Sequence, residues 1–446
     1  MAVEDLFQSV DPQVALRGIH LDLKGVPPTV DRLLGLLPVI AAARYNVILV
    51  EWEDAFPWSV DPDLRSPTAY SEDDVERFCR AAAGLGIELI PLVQCLGHME
   101  TPLTVERFKH LRVTPDDPTC LHALHPESRA LVTDMVADVL RLMPDVKYFH
   151  LGGDEAGSLG ADAETRAYIA AHGKGALYLQ HVEPICDWLQ DKAIRPILWH
   201  DMMVDWDEAS LRSLGSKADL MVWGYGMHGN AEHPITNRSL VRHFAQHGIK
   251  QWGATAYKGA DGHNIDRPNL SQREGNALLW AGIARDHDYV GVVATAWSRY
   301  TTVMVQCEPI DACLDALLAV GVILHDGEAA QGGMAAVTAA LHELGEGERF
   351  AACKQAMDGL TRLRHRCWWE IQSRLEARHL YRMDPRRSAG RFAEGTAGFV
   401  RRETAAIAEL EQQVWTAFAG LVADHWMVEY VATRLEPVKE ALRALA

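Results

Sequence analysis

Short apolar runs, near-continuous rather than alternating, recur along most of the chain. They fall at Gly18 to Leu23, Asn46 to Glu51, Ile87 to Gln94, Lys147 to Leu151, Arg195 to Trp199, Asp219 to Trp223, Lys250 to Thr255 and Val290 to Trp297. A strand buried on both faces has no polar side to show, so such runs read as strands of a parallel sheet covered by helices. Between several of them lie stretches of helical period, such as Asp73 to Leu85 and Pro126 to Leu142. Strand then helix, repeated about eight times, predicts an α/β fold, a (β/α)8 TIM barrel, over residues 1–325.

After about Asp326 the strand pattern stops. Gln331 to Leu344, Arg349 to Leu380 and Arg401 to Leu445 are rich in Ala, Leu, Glu and Arg, and predict an α-helical C-terminal region over 326–446. Trp368, Trp369, Trp415 and Trp426 lie on helical patterns there and are expected to pack within that region or at a subunit contact, so these helices offer a surface for a homodimer. Asp384 to Gly395 reads as a connecting loop. No repeat of solenoid period and no low-complexity segment is present.

The 446 residues include 43 Lys and Arg against 61 Asp and Glu, a formal charge of −18. Such a surface repels a phosphate backbone and an anionic lipid face, and no local basic patch offsets it, which argues against nucleic-acid and membrane partners. The longest apolar stretch, around Leu314 to Leu324, is too short to span a bilayer and carries Asp315. The N-terminal MAVEDLFQSV lacks the basic and apolar regions of an export signal, and the eight cysteines form no CxxC pair. These features lead to an expectation of reduced thiols and a cytoplasmic location. The 13 Trp outnumber the 11 Tyr and 10 Phe, and such rings serve either core packing or stacking against a ligand.

In a barrel of this kind chemistry gathers where strands end. Strand 1 begins with Arg17 and reaches Asp22. Strand 2 runs into Glu51, Trp52, Glu53 and Asp54, and strand 3 ends at Gln94 with His98 just beyond. Strand 4 closes in His150, Leu151, Gly152, Gly153, Asp154 and Glu155, and strand 5 in Trp199, His200 and Asp201. Strands 6, 7 and 8 supply Trp223 and Tyr225, Tyr257, and Trp297 with Arg299. The paired carboxyls Asp154 and Glu155 follow two glycines that let the backbone turn sharply and a ligand approach closely. Neighbouring side chains on an extended chain diverge, so the two can serve different parts of one substrate. The bland alternative is that they cap the next helix, whose first turn favours acids.

The full string HLGGDE resembles the signature of family 20 glycoside hydrolases, the β-N-acetylhexosaminidases. The resemblance extends to RGIHLD, YNVILVEWEDAFPW, LVQCLGHME, TAWSRY and QCEPID, covers roughly residues 15–325, and looks most like the hexosaminidase D branch. It implies substrate-assisted hydrolysis of a terminal β-GalNAc or β-GlcNAc, in which the sugar's own acetamido oxygen attacks the anomeric carbon, giving an oxazolinium ion and overall retention. By that resemblance Glu155 is the general acid and base, with a pKa expected to be raised by its neighbour and a dry pocket. Asp154 holds the acetamido N–H. Arg17 binds sugar hydroxyls, Asp54 and His98 form a pair orienting the acid with His150 also behind the site, and Trp199, Trp223 and Trp297 wall the sugar.

Strand 8 departs from the better-known members, which carry Trp-x-Glu where this chain has Trp297, Ser298, Arg299; Arg299 is therefore expected to alter hydroxyl recognition. The tyrosine meeting the acetamido oxygen is expected to be Tyr257, with Tyr225 the alternative. Asp201 reaches the leaving sugar or braces the site. No cofactor and no metal is implied: His20 with Asp22, His122 with His125, and His200 with Asp201 lack the converging spacing of a metal hydrolase. A non-catalytic carbohydrate-binding barrel is the other alternative, and the presence of both carboxyls argues against it.

Overall fold

The computed structural model describes residues 3–8, 11–226, 238–262, 265–301, 304–384, 386 and 390–445. Eight parallel strands, β1 (Leu16–Asp22), β2 (Val47–Glu51), β3 (Glu88–Leu92), β4 (Tyr148–His150), β5 (Arg195–Trp199), β6 (Asp219–Trp223), β7 (Gln251–Lys258) and β8 (Gly291–Ala296), close into a barrel in chain order. Gly18 stands opposite Val47 and Asp22 opposite Glu51, while Leu16 opposite Gly291 closes the ring. Helices follow the strands and start where local chemistry lets them. Ser71 and Asp74 form a capping box for Glu72–Gly84, and Pro126 opens Pro126–Leu142 behind a His125 cap.

Strand alternation sorts the side chains. Leu49, Ile90, Leu92, Ile197, Met221 and Trp252 are among those filling the barrel, while Ile19, Leu21, Ile48 and Val50 join the layer under the helices. β5 and β6 cover the predicted residues, β7 runs on to Lys258, and β4 ends early because Gly152 and Gly153 turn the chain out of the sheet.

The C-terminal region is helical: Gly333–Glu343, Gly347–Met383, Gly390–Phe418 and Asp424–Leu445. The expected loop Asp384 to Gly395 is shorter than predicted, because a helix begins at Gly390; its residues 385 and 387–389 lie outside the described residues. Trp368 and Trp369 do not pack within this region but are exposed, and Trp426 packs onto the barrel, donating to Oγ1 of Thr68 at 2.7 Å. The helices are tied to the barrel through Asp266, which follows β7 and is fully buried. Asp266 accepts from Thr361 and Arg364 at 2.7 Å, from Tyr430 at 3.0 Å and from Arg434 at 2.5 Å. A buried carboxylate with four donors is well satisfied, and removing it would take away the charge partner of the buried Arg434.

Candidate active site

The site begins with a turn. After β4 the chain takes left-handed angles at Gly152 (φ 59°) and Gly153 (φ 81°), where a Cβ would stand 1.8 Å from Oε1 of Gln94 and 2.0 Å from the Tyr178 hydroxyl. Those same neighbours hold the turn. Gln94 accepts the Gly153 N–H at 3.2 Å, Tyr178 donates to the Gly153 carbonyl at 3.0 Å, and Nδ1 of His150 accepts the Gly152 N–H at 2.9 Å. Burial pushes the His150 pKa down to about 3, so the ring stays neutral beneath the turn, 4.3 Å from the Trp199 ring.

The turn separates the two carboxyls. The Asp154 side chain is 8% exposed and that of Glu155, at φ 46°, is 58% exposed. Neither caps a helix: the next one, Ala163–His172, takes its cap from Asp162. Nε2 of His98 stands 3.4 Å from a carboxyl oxygen of each. Burial disfavours the charged imidazole, but Asp154 and then Glu155 outweigh it, and the His98 pKa is raised well above its usual value. In return, the hydrogen bond from His98 lowers the pKa of Glu155 below the ordinary range. The expected upward shift is thus corrected, because Glu155 stands half in water beside a cation rather than in a dry pocket.

Asp201, just past β5, joins two sides of the site. Its Oδ2 accepts the Glu155 N–H at 2.9 Å and its Oδ1 the Trp223 indole N–H at 3.3 Å. Burial, then the nearby Asp154, raises its pKa to about 7. Trp223 stacks on Tyr225 with planes 15° apart. These two, with His98, Asp154, Glu155, Gly259, Ala260, Trp297 and Tyr300, enclose a cavity of about 210 Å³. That is smaller than the ~300–1,000 Å³ clefts of larger ligands, and suits one sugar ring. Trp199, expected as a wall of the sugar, does not line this cavity: its ring is fully buried below it, 5.9 Å from Trp297.

Four further expected site residues lie elsewhere. Arg17 sits at the start of β1, roughly 16 Å down the strand from its mouth end, and donates to the carbonyls of Val14, Ala15 and Arg44. Tyr257 points outward into the layer under the helices, its hydroxyl 3.4 Å from the His20 carbonyl, because strand alternation turns Lys258 inward instead. Arg299 turns away from the cavity toward Glu429 at 2.6 Å. Asp54, its pKa raised to about 7 by burial, makes no hydrogen bond or ion pair with His98 among the described residues; Glu53 and Thr101 line a small cavity with His98 instead.

Sequence reasoning passed over Lys24, whose buried ammonium stands 2.9 Å from Asp22 and 3.0 Å from Glu51, beside the Trp297 ring. It lies two residues past the strand-end aspartate, so the strand-end rule would have reached it. Tyr300 was inside the TAWSRY motif without a role. A larger cleft of about 550 Å³ runs along Pro126–Leu142, but its acids include Asp138, already bound to Ser59 and Arg141. Among the described residues one trio could converge on a metal, His110, His125 and Glu127, and none of them lines the sugar-sized cavity.

Comparison with known proteins matches residues 15–241 to the glycosyl hydrolase family 20 catalytic domain. Hexosaminidase D of Bos taurus is 34% identical over 327 residues, covering 68% of this chain and 92% of that one. Hexosaminidase D of Homo sapiens is 32% identical over 315 residues, covering 68% of this chain and 64% of that one. Among solved structures, a chitobiase of Flavobacterium johnsoniae shares the fold, with a TM-score of 0.59 at 15% identity over 97% of this chain and 71% of that one.

Proposed function

Because the chain belongs to glycosyl hydrolase family 20, we propose that it removes a terminal β-linked N-acetylhexosamine, GalNAc or GlcNAc, with retention, through attack by the substrate's own acetamido oxygen. The observation that carries this reading is the unequal exposure of two carboxyls that share one imidazole: Asp154 inside the cavity, Glu155 at its mouth. On this reading the inner carboxyl accepts the acetamido N–H and offsets positive charge on the oxazolinium. The outer one, at the mouth, protonates the departing glycosidic oxygen and later takes a proton from the attacking water.

Tyr225 takes the role first expected of Tyr257, since its ring lines the cavity and a tyrosine hydroxyl is a donor suited to an acetamido oxygen. Trp223 and Trp297 pack the faces of the ring. The hydrogen bond from His98 favours the ionised form of Glu155. A bound sugar that engages Asp154 and covers the mouth strips water from Glu155 and raises its proton affinity, which is the state an acid needs. The test is hydrolysis of aryl β-GlcNAc and β-GalNAc with and without a chelator, against Glu155→Gln as background. Turnover that resists the chelator and disappears in the variant supports the reading, and turnover that survives in Glu155→Gln on a poor leaving group overturns it.

A further inference from the structure

We propose that the C-terminal helix Asp424–Leu445 is a working part of the sugar pocket, with Glu429 and Trp426 holding Arg299 and so fixing the wall made by Trp297 and Tyr300. The inference rests on the functional reading above. It concerns a helix beyond residues 15–241, where the family match lies.

The four residues after β8 divide by direction. Trp297 and Tyr300 face the cavity. Ser298 is fixed from behind, its N–H donating to Oδ2 of Asp22 at 2.6 Å and its hydroxyl to the Asp22 carbonyl at 2.7 Å. Arg299 lies over Gly25 with its charge acting on Asp54, and it reaches out from the barrel to the C-terminal helix. Its guanidinium donates to Glu429 at 2.6 Å and to the Met304 carbonyl at 3.3 Å, and lies 5.3 Å from the Trp426 ring centre. An arginine held by a carboxylate and an aromatic face has little rotamer freedom left, so its backbone, between the two wall residues, is held as well.

The same helix grips other loops at this end of the barrel. Trp426 donates to Thr68 in the segment after β2, Arg434 donates to the Gln306 carbonyl at 2.5 Å, and Tyr430 and Arg434 bind Asp266 after β7. Loops after three strands thus converge on one helix, and a pocket whose walls come from different strands needs such a clasp to hold their spacing.

Glu429 is partly exposed and mid-helix, so Glu429→Ala leaves a good helix former and costs little stability. The expected result is a KM for aryl N-acetylhexosaminides raised by about 5- to 20-fold with kcat within about threefold, since a loosened wall weakens ring binding without touching Glu155. Glu429→Gln, which keeps an acceptor, should fall between. Arg299→Met with Glu429→Ala should be no worse than Arg299→Met alone, as for any pair acting through one contact. An unchanged KM in Glu429→Ala, or additive effects in the double variant, would overturn the clasp. Quenching of tryptophan fluorescence by the free N-acetylhexosamine reads the same wall without turnover. A wild-type protein that binds this sugar without hydrolysing an aryl glycoside sinks the functional reading and leaves the clasp open to the binding test; one that does neither sinks both.

Discussion

The backbone N–H of Glu155 donates to Oδ2 of Asp201 at 2.9 Å, so a residue two places past β5 holds the turn after β4 that presents the outer carboxyl. Glu155 sits at φ 46°, a region that non-glycine residues occupy only when their surroundings enforce it. On the proposed reading Asp201 acts as a positioning residue for Glu155. Asp201→Ala should lower kcat on a poor leaving group by about 10- to 100-fold, the scale of loss that small misplacements cause. Asp201→Asn keeps an acceptor for that N–H and should retain more. Steady-state kinetics with equal kcat in wild type and Asp201→Ala would contradict the role.

Glu155→Gln should reduce turnover of a poor leaving group by about 10²- to 10⁴-fold, the usual worth of general acid and base catalysis. The loss should shrink, without vanishing, for a leaving group acidic enough to depart unprotonated, because the second step still needs a base. Rates across a series of aryl leaving groups check this, and a parallel loss across the series would argue against an acid role.

The tyrosine assignment is separable by two conservative changes. Tyr225→Phe should cost about 10²-fold in kcat/KM, as loss of a donor to developing charge does. Tyr257→Phe should leave kcat/KM unchanged, since that ring lies outside the cavity. The reverse ranking would restore Tyr257 to the site.

Most of the barrel was legible because buried parallel strands write themselves as apolar runs, and β5 and β6 fall where Arg195 to Trp199 and Asp219 to Trp223 place them. The Asp154 and Glu155 pair was legible because only glycine tolerates the turn before it. Arg17 was misplaced because its motif lies on a strand whose two ends look alike in sequence, and it occupies the wrong one. Tyr257 was misread because inward and outward faces of β7 become distinct only once Trp252 is known to point inside. Nothing local tells that Arg299 answers to Glu429, which lies 130 residues away.

Buried acids around the site give stability a pH signature. Burial, then Glu51, raises the Glu53 pKa from 4.5 to about 8. A carboxyl with a raised folded pKa binds its proton more tightly when folded, so unfolding releases that proton between about pH 4.5 and 8, and stability falls as pH rises through this window. Glu53→Gln removes the titration and can still accept from Thr101. Its melting temperature should therefore exceed that of wild type by a few degrees at pH 8.5, with a smaller gain at pH 5. A gain that is equal at both pH values would show that Glu53 does not titrate there.

The nucleophile is the centre of the account, and fluorination of the substrate's acetyl group reaches it directly. Aryl β-N-acetylhexosaminides bearing acetyl, monofluoroacetyl, difluoroacetyl and trifluoroacetyl groups differ little in size but progressively weaken the attacking oxygen. If the acetamido oxygen is the nucleophile, as proposed, kcat/KM should fall steeply at each fluorine, by orders of magnitude across the series. A flat series, accompanied by a glycosyl group trapped on an enzyme carboxylate, would contradict attack by the acetamido oxygen.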